Sequence, residues 1–208
     1  MHREVLDWLN AVKTKHPELF KDQKVIEAGS LDINGSPRQY FEGGEYIGID
    51  AKKGKGVDWH GVFHEYKEKP FQYFDVAISC ETLEHDPFWR ITLKYMVDFI
   101  RVGGYLLISC AGPARGPHGA AYFQDPNNPK AIRPEYHPLG PERDYYWNIK
   151  PEILLYELVY LSGWTSIEYD AYRKGSDICI VAIGKYRQPV NYSRGELAIL
   201  RRLKQTQI

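Results

Sequence analysis

Apolar side chains recur along the chain with two spacings, one typical of helices and one typical of buried strands. Residues 3–14 place them three and four positions apart, which predicts a leading amphipathic helix. Short apolar runs at 24–28, 45–49 and 74–79 predict strands, and the last run is continuous, as in a strand covered on both faces. Residues 57–66 predict a brief further strand and a loop. This part of the chain therefore supplies the first four strands.

The second half of the chain predicts two more helices and three more strands. One helix opens at Asp86-Pro87 and ends at Gly103-Gly104, and the other covers Pro151–Leu161. The remaining apolar runs predict strands, the last two as a hairpin: Tyr105–Cys110, Trp164–Tyr169 and Asp177–Gly184. Strands that alternate with helices predict an α/β fold, with a parallel sheet and helices on both faces.

Composition and charge limit the class of protein. At 208 residues the chain suits one domain, 1–208, with a leading helix within 1–20. Its 27 Lys and Arg balance 27 Asp and Glu, so no broad basic field for DNA is expected. No apolar run approaches the roughly 18 residues of a membrane span, and the start lacks a secretory signal pattern. Three cysteines without a CxxC partner fit reduced thiols in a cytoplasmic protein.

The end of the chain carries a helix start signal. Ser193–Glu196 has a capping-box pattern, which predicts a short basic helix over 194–206, within a terminal segment 190–208.

Small and polar residues join the first two strands. Glu27 ends the first strand, Gly29 and Ser30 begin a loop that leads into a predicted helix, and Asp50 ends the second strand. Ligands of open parallel sheets bind at the carboxyl ends of the strands, and small residues let the backbone approach a ligand closely. An acid about 20 residues after the loop suits the two hydroxyls of a ribose. The segment therefore predicts a site for a nucleoside-containing cofactor.

The loop does not have the pattern of a dinucleotide site. Leu31 stands where the second glycine of G-x-G-x-x-G would be, so the loop cannot admit a pyrophosphate in the usual way. A carboxylate at Glu27 would also repel a pyrophosphate, but it would suit a cationic ligand. S-adenosylmethionine carries an ammonium, a sulfonium and a ribose but no phosphate, so it fits this loop better.

Residues 25–50 resemble motif I and the following acidic strand end of class I S-adenosylmethionine-dependent methyltransferases. The resemblance continues through FDVAISCETLEH at Phe74–His85, GGYLLISC at Gly103–Cys110, and Tyr146–Trp164. These motifs stand in the expected order and span most of residues 20–185. The chain looks closest to the small-molecule and glycan methyltransferase group with the ETLEH signature, methyltransferase type 11-like.

The resemblance implies a fold, a cofactor and a reaction. The fold would be Rossmann-like, with a mostly parallel seven-stranded sheet and an antiparallel last strand. The reaction would be methyl transfer from S-adenosylmethionine to a small-molecule or glycan-type acceptor, at oxygen. Residues expected to bind the cofactor are Glu27, Gly29, Ser30, Leu31, Asp50, Ala51, Val62, Phe63, His64, Ser79, Cys80 and Glu81.

Two acids have the clearest expected roles. By resemblance, Glu27 orders the Gly29 loop and reaches the methionine ammonium, and Asp50 accepts both ribose hydroxyls. The alternatives are a solvated acid at a strand end for Glu27, and a helix or turn cap for Asp50. Ser30, Leu31 and Asn34 are candidates for the pocket wall, whereas Asp32 suits a cap for the next helix.

The chain departs from its relatives around residues 61–65. Relatives often have an acid there that accepts the adenine amino group, and this chain has Val62 and Phe63. Adenine would then stack on Phe63, with His64 as a polar partner or simply a surface histidine. Cys80 is not expected to be a nucleophile, because the Pro-Cys pair of cytosine C5 methyltransferases is absent.

A hydroxyl acceptor needs a base, and histidines are the candidates. His85 follows the fourth strand, and imidazole titrates near neutrality. It could equally fix the start of the following helix. His118 and His137 are further candidates for the base. No required metal is expected, because no clean ligand spacing occurs.

Residues 111–150 form a proline- and aromatic-rich segment after the fifth strand. It holds seven prolines, and its aromatic content argues against disorder. We interpret it as a lid or substrate wall, with Tyr122, His137, Tyr146 and Trp147 as candidate acceptor contacts. The alternatives are a stiff excursion packed by its own aromatics, or a subunit contact.

Other functional classes stay open. The altered loop at Leu31 and the missing adenine acid would suit a methyltransferase-like binding or scaffold subunit. A nicotinamide-dependent oxidoreductase lacks its glycine motif here. A methyltransferase for RNA or protein is a further alternative, with Arg194, Arg201, Arg202 and Lys204 as a local basic patch.

Overall fold

The computed structural model of the protein describes residues 1–116, 146–161, 163–172 and 176–185. The predicted helix over 194–206 and residues 117–145 of the predicted lid lie outside them. The described part contains these helices and strands in chain order: α1 (Arg3–Lys15), β1 (Lys24–Ala28), β2 (Glu45–Asp50), β3 (Trp59–His60), β4 (Phe74–Cys80), α2 (Trp89–Phe99), β5 (Ile100–Ala111), α3 (Pro151–Leu161), β6 (Ser166–Tyr172) and β7 (Asp177–Ile183).

The seven strands form one sheet in the order β3-β2-β1-β4-β5-β7-β6. The pairs β1 with β2, β2 with β3, β1 with β4, and β4 with β5 are parallel, whereas β7 runs antiparallel to both β5 and β6. The predicted seven-stranded sheet with an antiparallel last strand is confirmed. The carboxyl ends of β1, β2, β4 and β5 therefore meet at one edge, which we call the carboxyl edge.

Helices cover both faces of the sheet, as predicted. On one face, α1 buries Val5, Trp8 and Leu9 against alternate residues of the strands such as Val76 and Ile78. On the other face, α2 and α3 pack on the residues that point the opposite way. The two apolar layers fix the strands, and with them the carboxyl edge.

The helix predicted between β1 and β2 was wrong. The connection contains only a four-residue 3₁₀ helix, Pro37–Tyr40, which begins where the Ser36 hydroxyl accepts a hydrogen bond from the Arg38 amide. Gly35 precedes it and Gly43 follows it, both with positive φ, so too few residues remain for a regular helix of several turns.

The glycine pair after α2 has a different role from the one predicted. The helix begins at Trp89, two residues after Pro87, and ends at Phe99, before Gly103 and Gly104. These glycines lie inside β5, where the register with β4 shifts. A Cβ at Gly104 would be 2.6 Å from the Asp75 carbonyl oxygen, so a β-bulge requires glycine there.

Candidate functional site at the carboxyl edge

The loop after β1 packs tightly against two other strand ends. Gly29 has a φ of 83°, and a Cβ there would lie 1.9 Å from Oγ1 of Thr82, which follows β4. The amides of Gly29 and Ser30 both donate to the carbonyl oxygen of Ile49, at 2.9 and 3.1 Å. The turn requires glycine because of both its left-handed backbone and the close approach of Thr82.

Asp50 holds this loop from the end of β2. Its Oδ2 accepts a hydrogen bond from the Leu31 amide at 3.1 Å, and its Oδ1 accepts one from the Lys52 amide at 2.8 Å. Asp50 therefore caps a turn, the alternative role considered above. The role does not compete with ribose binding, because each carboxylate oxygen has a second lone pair that can accept from a hydroxyl.

Glu27 is buried, so it is not the solvated acid of the alternative interpretation. Its side chain is 1% exposed, and its Oε2 accepts a hydrogen bond from the Tyr46 hydroxyl at 2.9 Å. Burial raises the pKa of Glu27 to about 8, although Tyr46 and the nearby Arg38 oppose the rise. The carboxyl group is thus mainly neutral at pH 7.

The segment after β2 lies against the Gly29 loop and changes the roles expected there. Ser30 is buried against Gly48 of β2. A Cβ added at Gly48 would lie 2.6 Å from the Cβ of Ser30. The Leu31 side chain would lie 2.3 Å from a Cβ at Gly54. Ser30 is therefore enclosed by protein, and Leu31 packs on the segment after β2.

Asp32 caps a turn, and the predicted helix cap was wrong. Its Oδ1 accepts from the Gly35 amide at 2.8 Å, and its Oδ2 pairs with Lys55 Nζ at 2.6 Å. These contacts lower the pKa of Asp32, the hydrogen bond from Lys55 most of all. Asp32, which was expected to start a helix, instead connects the Gly29 loop with Lys55 in the segment after β2.

The segment proposed for adenine is more buried than the sequence indicated. Phe63 is 5% exposed and packs edge-on against Phe99, with ring centroids 6.0 Å apart. Adenine could stack on it only if the surrounding chain moved. His64 is half-buried, near the rings of Phe88 and Tyr95 rather than on the surface. Val62 is also half-buried, and the carbonyl oxygen of Ala51 accepts from the His60 ring.

Two residues at the end of β4 have buried side chains. Ser79 is fully buried, and Cys80 points to the α1 face of the sheet. Burial raises the pKa of the Cys80 thiol, with Glu27 adding to the effect, so a thiolate is disfavoured. Ser79 and Cys80 can therefore contact a ligand at the carboxyl edge only through their backbone atoms.

Glu81 stands at the centre of a charged cluster that includes a residue the sequence analysis missed. It has a φ of 53°, and its Oε2 accepts from the His2 amide at 2.8 Å. Its Oε1 lies 3.7 Å from Nη2 of Arg115, whose Nη1 donates to Oδ1 of Asp177 at 2.6 Å. The one sequence signal was a lone cation shortly after the fifth strand.

The structure brings one end of the aromatic segment to the carboxyl edge. The Trp147 amide donates to the Glu84 carbonyl oxygen at 2.7 Å, and the Tyr146 ring lies edge-on to His85, with centroids 5.2 Å apart. His85 is thus beside Tyr146, one of the predicted acceptor contacts. His118, Tyr122 and His137 lie outside the described residues.

Glu84 anchors the start of the same segment. It is 1% exposed, and its Oε1 accepts from the Ala111 amide at 3.1 Å, whereas its buried Oε2 has no hydrogen-bond partner among the described residues. Burial raises the pKa of Glu84 to about 8. Asp86 fixes the start of α2, because it accepts from the Phe88 amide and the Thr92 hydroxyl.

Several other features lie away from this edge. A cavity of about 320 Å³ lies between α1 and the β6–β7 pair, and none of the candidate residues lines it. Within the described ranges, no three His, Cys, Asp or Glu side chains group to hold a metal ion. No helix in the described part is long and apolar enough to cross a membrane.

Known structures share this fold. A SAM-dependent methyltransferase from Archaeoglobus fulgidus aligns with a TM-score of 0.58 and 18% identity, over 89% of this chain and 95% of its own. The 1,6-didemethyltoxoflavin-N1-methyltransferase of Burkholderia thailandensis, with S-adenosylhomocysteine bound, aligns with a TM-score of 0.55 and 15% identity, over 86% and 77%. Phosphoethanolamine N-methyltransferase 2 of Haemonchus contortus, in complex with S-adenosyl-L-methionine, aligns with a TM-score of 0.60 and 13% identity, over 86% and 53%.

No protein-family model and no curated protein sequence matches the chain. At identities this low the structural likeness establishes the architecture, not the chemistry. The chain has the Rossmann-like fold of S-adenosylmethionine-dependent methyltransferases.

Proposed function

We propose that the protein transfers a methyl group from S-adenosylmethionine to a small-molecule or glycan-type acceptor, at oxygen. The observation that carries the proposal is Asp50, whose carboxylate lies at the end of β2 and is fixed by the Leu31 amide of the Gly29 loop. In an open sheet with this strand order, that position suits a ribose.

The donor set at this edge suits the rest of the cofactor. The turn at Gly29 brings the loop backbone to the carboxyl edge against Thr82, and Glu27 provides a carboxyl group whose pKa burial raises to about 8. A nearby cationic ligand would favour the ionised form and so lower the pKa of Glu27. The cofactor supplies an activated methyl group on its sulfonium, and the protein must hold the acceptor oxygen in line with it.

The acceptor hydroxyl loses a proton during transfer, so the reaction needs a base. His85 is our proposed base, because it lies at the carboxyl edge with its ring against Tyr146. Trp147 is a proposed acceptor contact, since hydrogen bonds hold the 146–149 segment beside Glu84 and Ala111. Tyr146 is fully buried, so it could contact an acceptor only if this segment moved. The backbone of Ile149 donates to the Ala111 carbonyl oxygen at 3.2 Å, which supports this placement.

Calorimetric titration with S-adenosylmethionine and S-adenosylhomocysteine tests the proposal. We expect saturable binding by the wild type and strong weakening in Asp50→Ala. Asp75→Asn is the matched control, because Asp75 also accepts a backbone amide, that of Lys24, but at the opposite edge of the sheet. Binding that Asp50→Ala leaves intact would refute the site.

A second candidate is a binding or scaffold subunit that has kept the fold without turnover. The packing of Leu31 on Gly54 and the burial of Phe63 favour it, since both narrow the space for a nucleoside. Absence of binding at millimolar cofactor would support this alternative. Binding followed by methyl transfer in a screen of glycan and small-hydroxyl acceptors would exclude it.

A further inference from the structure

We infer that Glu81 and Arg115 form a paired site for an α-amino acid zwitterion, the terminal group of the cofactor, with Arg115 binding its carboxylate. The inference rests on the proposed function and adds a residue that neither the sequence motifs nor the structural likeness assigns.

The two charges face each other without bonding directly. Oε1 of Glu81 and Nη2 of Arg115 are 3.7 Å apart, longer than a hydrogen bond. An α-amino acid carries its ammonium and carboxylate on one carbon atom. It can therefore lie along the pair with its charges reversed, so that Glu81 meets the ammonium and Arg115 meets the carboxylate.

The structure fixes Arg115 from two directions. Its Nη1 donates to Oδ1 of Asp177, whose side chain is 3% exposed. Its backbone belongs to a turn that Asn148 holds, since Nδ2 of Asn148 donates to the carbonyl oxygens of Gly112 and Arg115 at 2.7 Å each. The guanidinium is thus held with its Nη2 towards Glu81 and the ring of His2.

Glu81 has an unusual backbone that points to the same role. Its φ of 53° is in the left-handed region, which is unfavourable for a residue with a Cβ and tends to occur at functional sites. It directly precedes Thr82, which contacts Gly29, so the charge pair adjoins the proposed cofactor loop.

His2 covers the pair in this structure. Its amide donates to Glu81, and its ring contacts both Glu81 and Arg115. A zwitterion would displace these contacts, and α1 begins at the next residue. Ligand binding and the docking of the first turn of α1 are therefore coupled through one carboxylate.

The experiment compares S-adenosylhomocysteine with 5′-methylthioadenosine, which has the nucleoside and sulfur but no amino acid group. Calorimetry measures both affinities for the wild type and for Arg115→Gln. We expect S-adenosylhomocysteine to bind about ten- to a hundredfold more weakly to the variant, the usual effect of losing a charged hydrogen bond. The affinity for 5′-methylthioadenosine should not change. Arg101→Gln is the matched control, because Arg101 pairs with Asp75 at the opposite edge.

Each other outcome has a defined meaning. If Arg115→Gln weakens both ligands equally, or neither, Arg115 has a structural role and the inference is wrong. If thermal unfolding shows that Arg115→Gln does not fold, Glu81→Gln is measured in its place. The inference then requires that Glu81→Gln weakens S-adenosylhomocysteine more than 5′-methylthioadenosine. If the wild type binds neither ligand, the proposed function fails and the inference falls with it.

Discussion

Replacing Gly29 by alanine tests whether the loop after β1 depends on the contact with Thr82. The residue has a φ of 83°, and the added Cβ would lie 1.9, 2.3 and 2.6 Å from three atoms of the Thr82 side chain. A left-handed backbone costs a residue with a Cβ roughly 1–2 kcal/mol, and overpacking a tight site costs roughly 1–3 kcal/mol. The free energy of unfolding should therefore fall by about 2–5 kcal/mol.

Gly35→Ala is the matched control within the same loop. Gly35 also has a positive φ, 97°, but a Cβ there would have no atom nearer than 4.0 Å. Only the backbone effect applies, so its loss of stability should be roughly 1–2 kcal/mol. Urea unfolding of both variants measures the difference, and calorimetry with S-adenosylhomocysteine measures the effect on binding.

A second-site change separates the two contributions. Thr82→Gly removes the three atoms nearest to the new Cβ. The double variant with Gly29→Ala should therefore recover most of the overpacking cost and retain the backbone cost. The reasoning is refuted if Gly29→Ala is no less stable than Gly35→Ala. It is also refuted if Thr82→Gly gives no recovery, because the loop would then not pack as described.

Three further predictions concern titratable groups. The pKa of Glu84 is about 8 when folded and 4.5 when unfolded, so the folded state keeps a proton that the unfolded chain loses. Stability should therefore fall as pH rises from about 5 to about 8, and denaturant unfolding across that range should show a smaller fall for Glu84→Gln. Binding of S-adenosylmethionine should release a proton from Glu27. At pH 7 the measured binding enthalpy should then depend on the ionisation enthalpy of the buffer, and Glu27→Gln should abolish that dependence. His85→Ala should keep cofactor affinity and lower methyl transfer, and unchanged turnover would mean that another group is the base.

Local patterns in the sequence predicted most of the fold. The runs that became β1, β2 and β4 were visible because buried strands need continuous apolar residues, whatever their neighbours. The position of Asp50 at the end of β2 was predicted because an apolar run followed by an acid marks where a buried strand ends. The helix expected before β2 failed because Gly35 and Pro37 interrupt a short segment, and no apolar period was present to support it.

The contacts that complete the site join residues far apart in the chain. Thr82 meets Gly29, and Arg115 meets Asp177, across 53 and 62 positions. The spacing of apolar residues along the sequence does not reveal such pairs, because each partner alone resembles an ordinary turn or surface residue. Burial of Glu27 and Phe63 was missed for a related reason, since it depends on how Tyr46 and Phe99 pack from other elements.

The two halves of the site rest on different parts of the sheet, and this explains why the cofactor is easier to infer than the acceptor. The proposed nucleoside contacts come from the ends of β1 and β2, where parallel hydrogen bonding fixes Asp50 against the Gly29 loop. The proposed acceptor contacts come from the segment after β5. Glu84 holds this segment, because its side chain accepts from the Ala111 amide and its carbonyl oxygen accepts from the Trp147 amide. Glu81 and Arg115 lie between the halves, one after β4 and one after β5. Sequence changes after β5 can therefore alter the acceptor while the nucleoside contacts stay in place, so a fold shared with methyltransferases of different acceptors is what this architecture should produce.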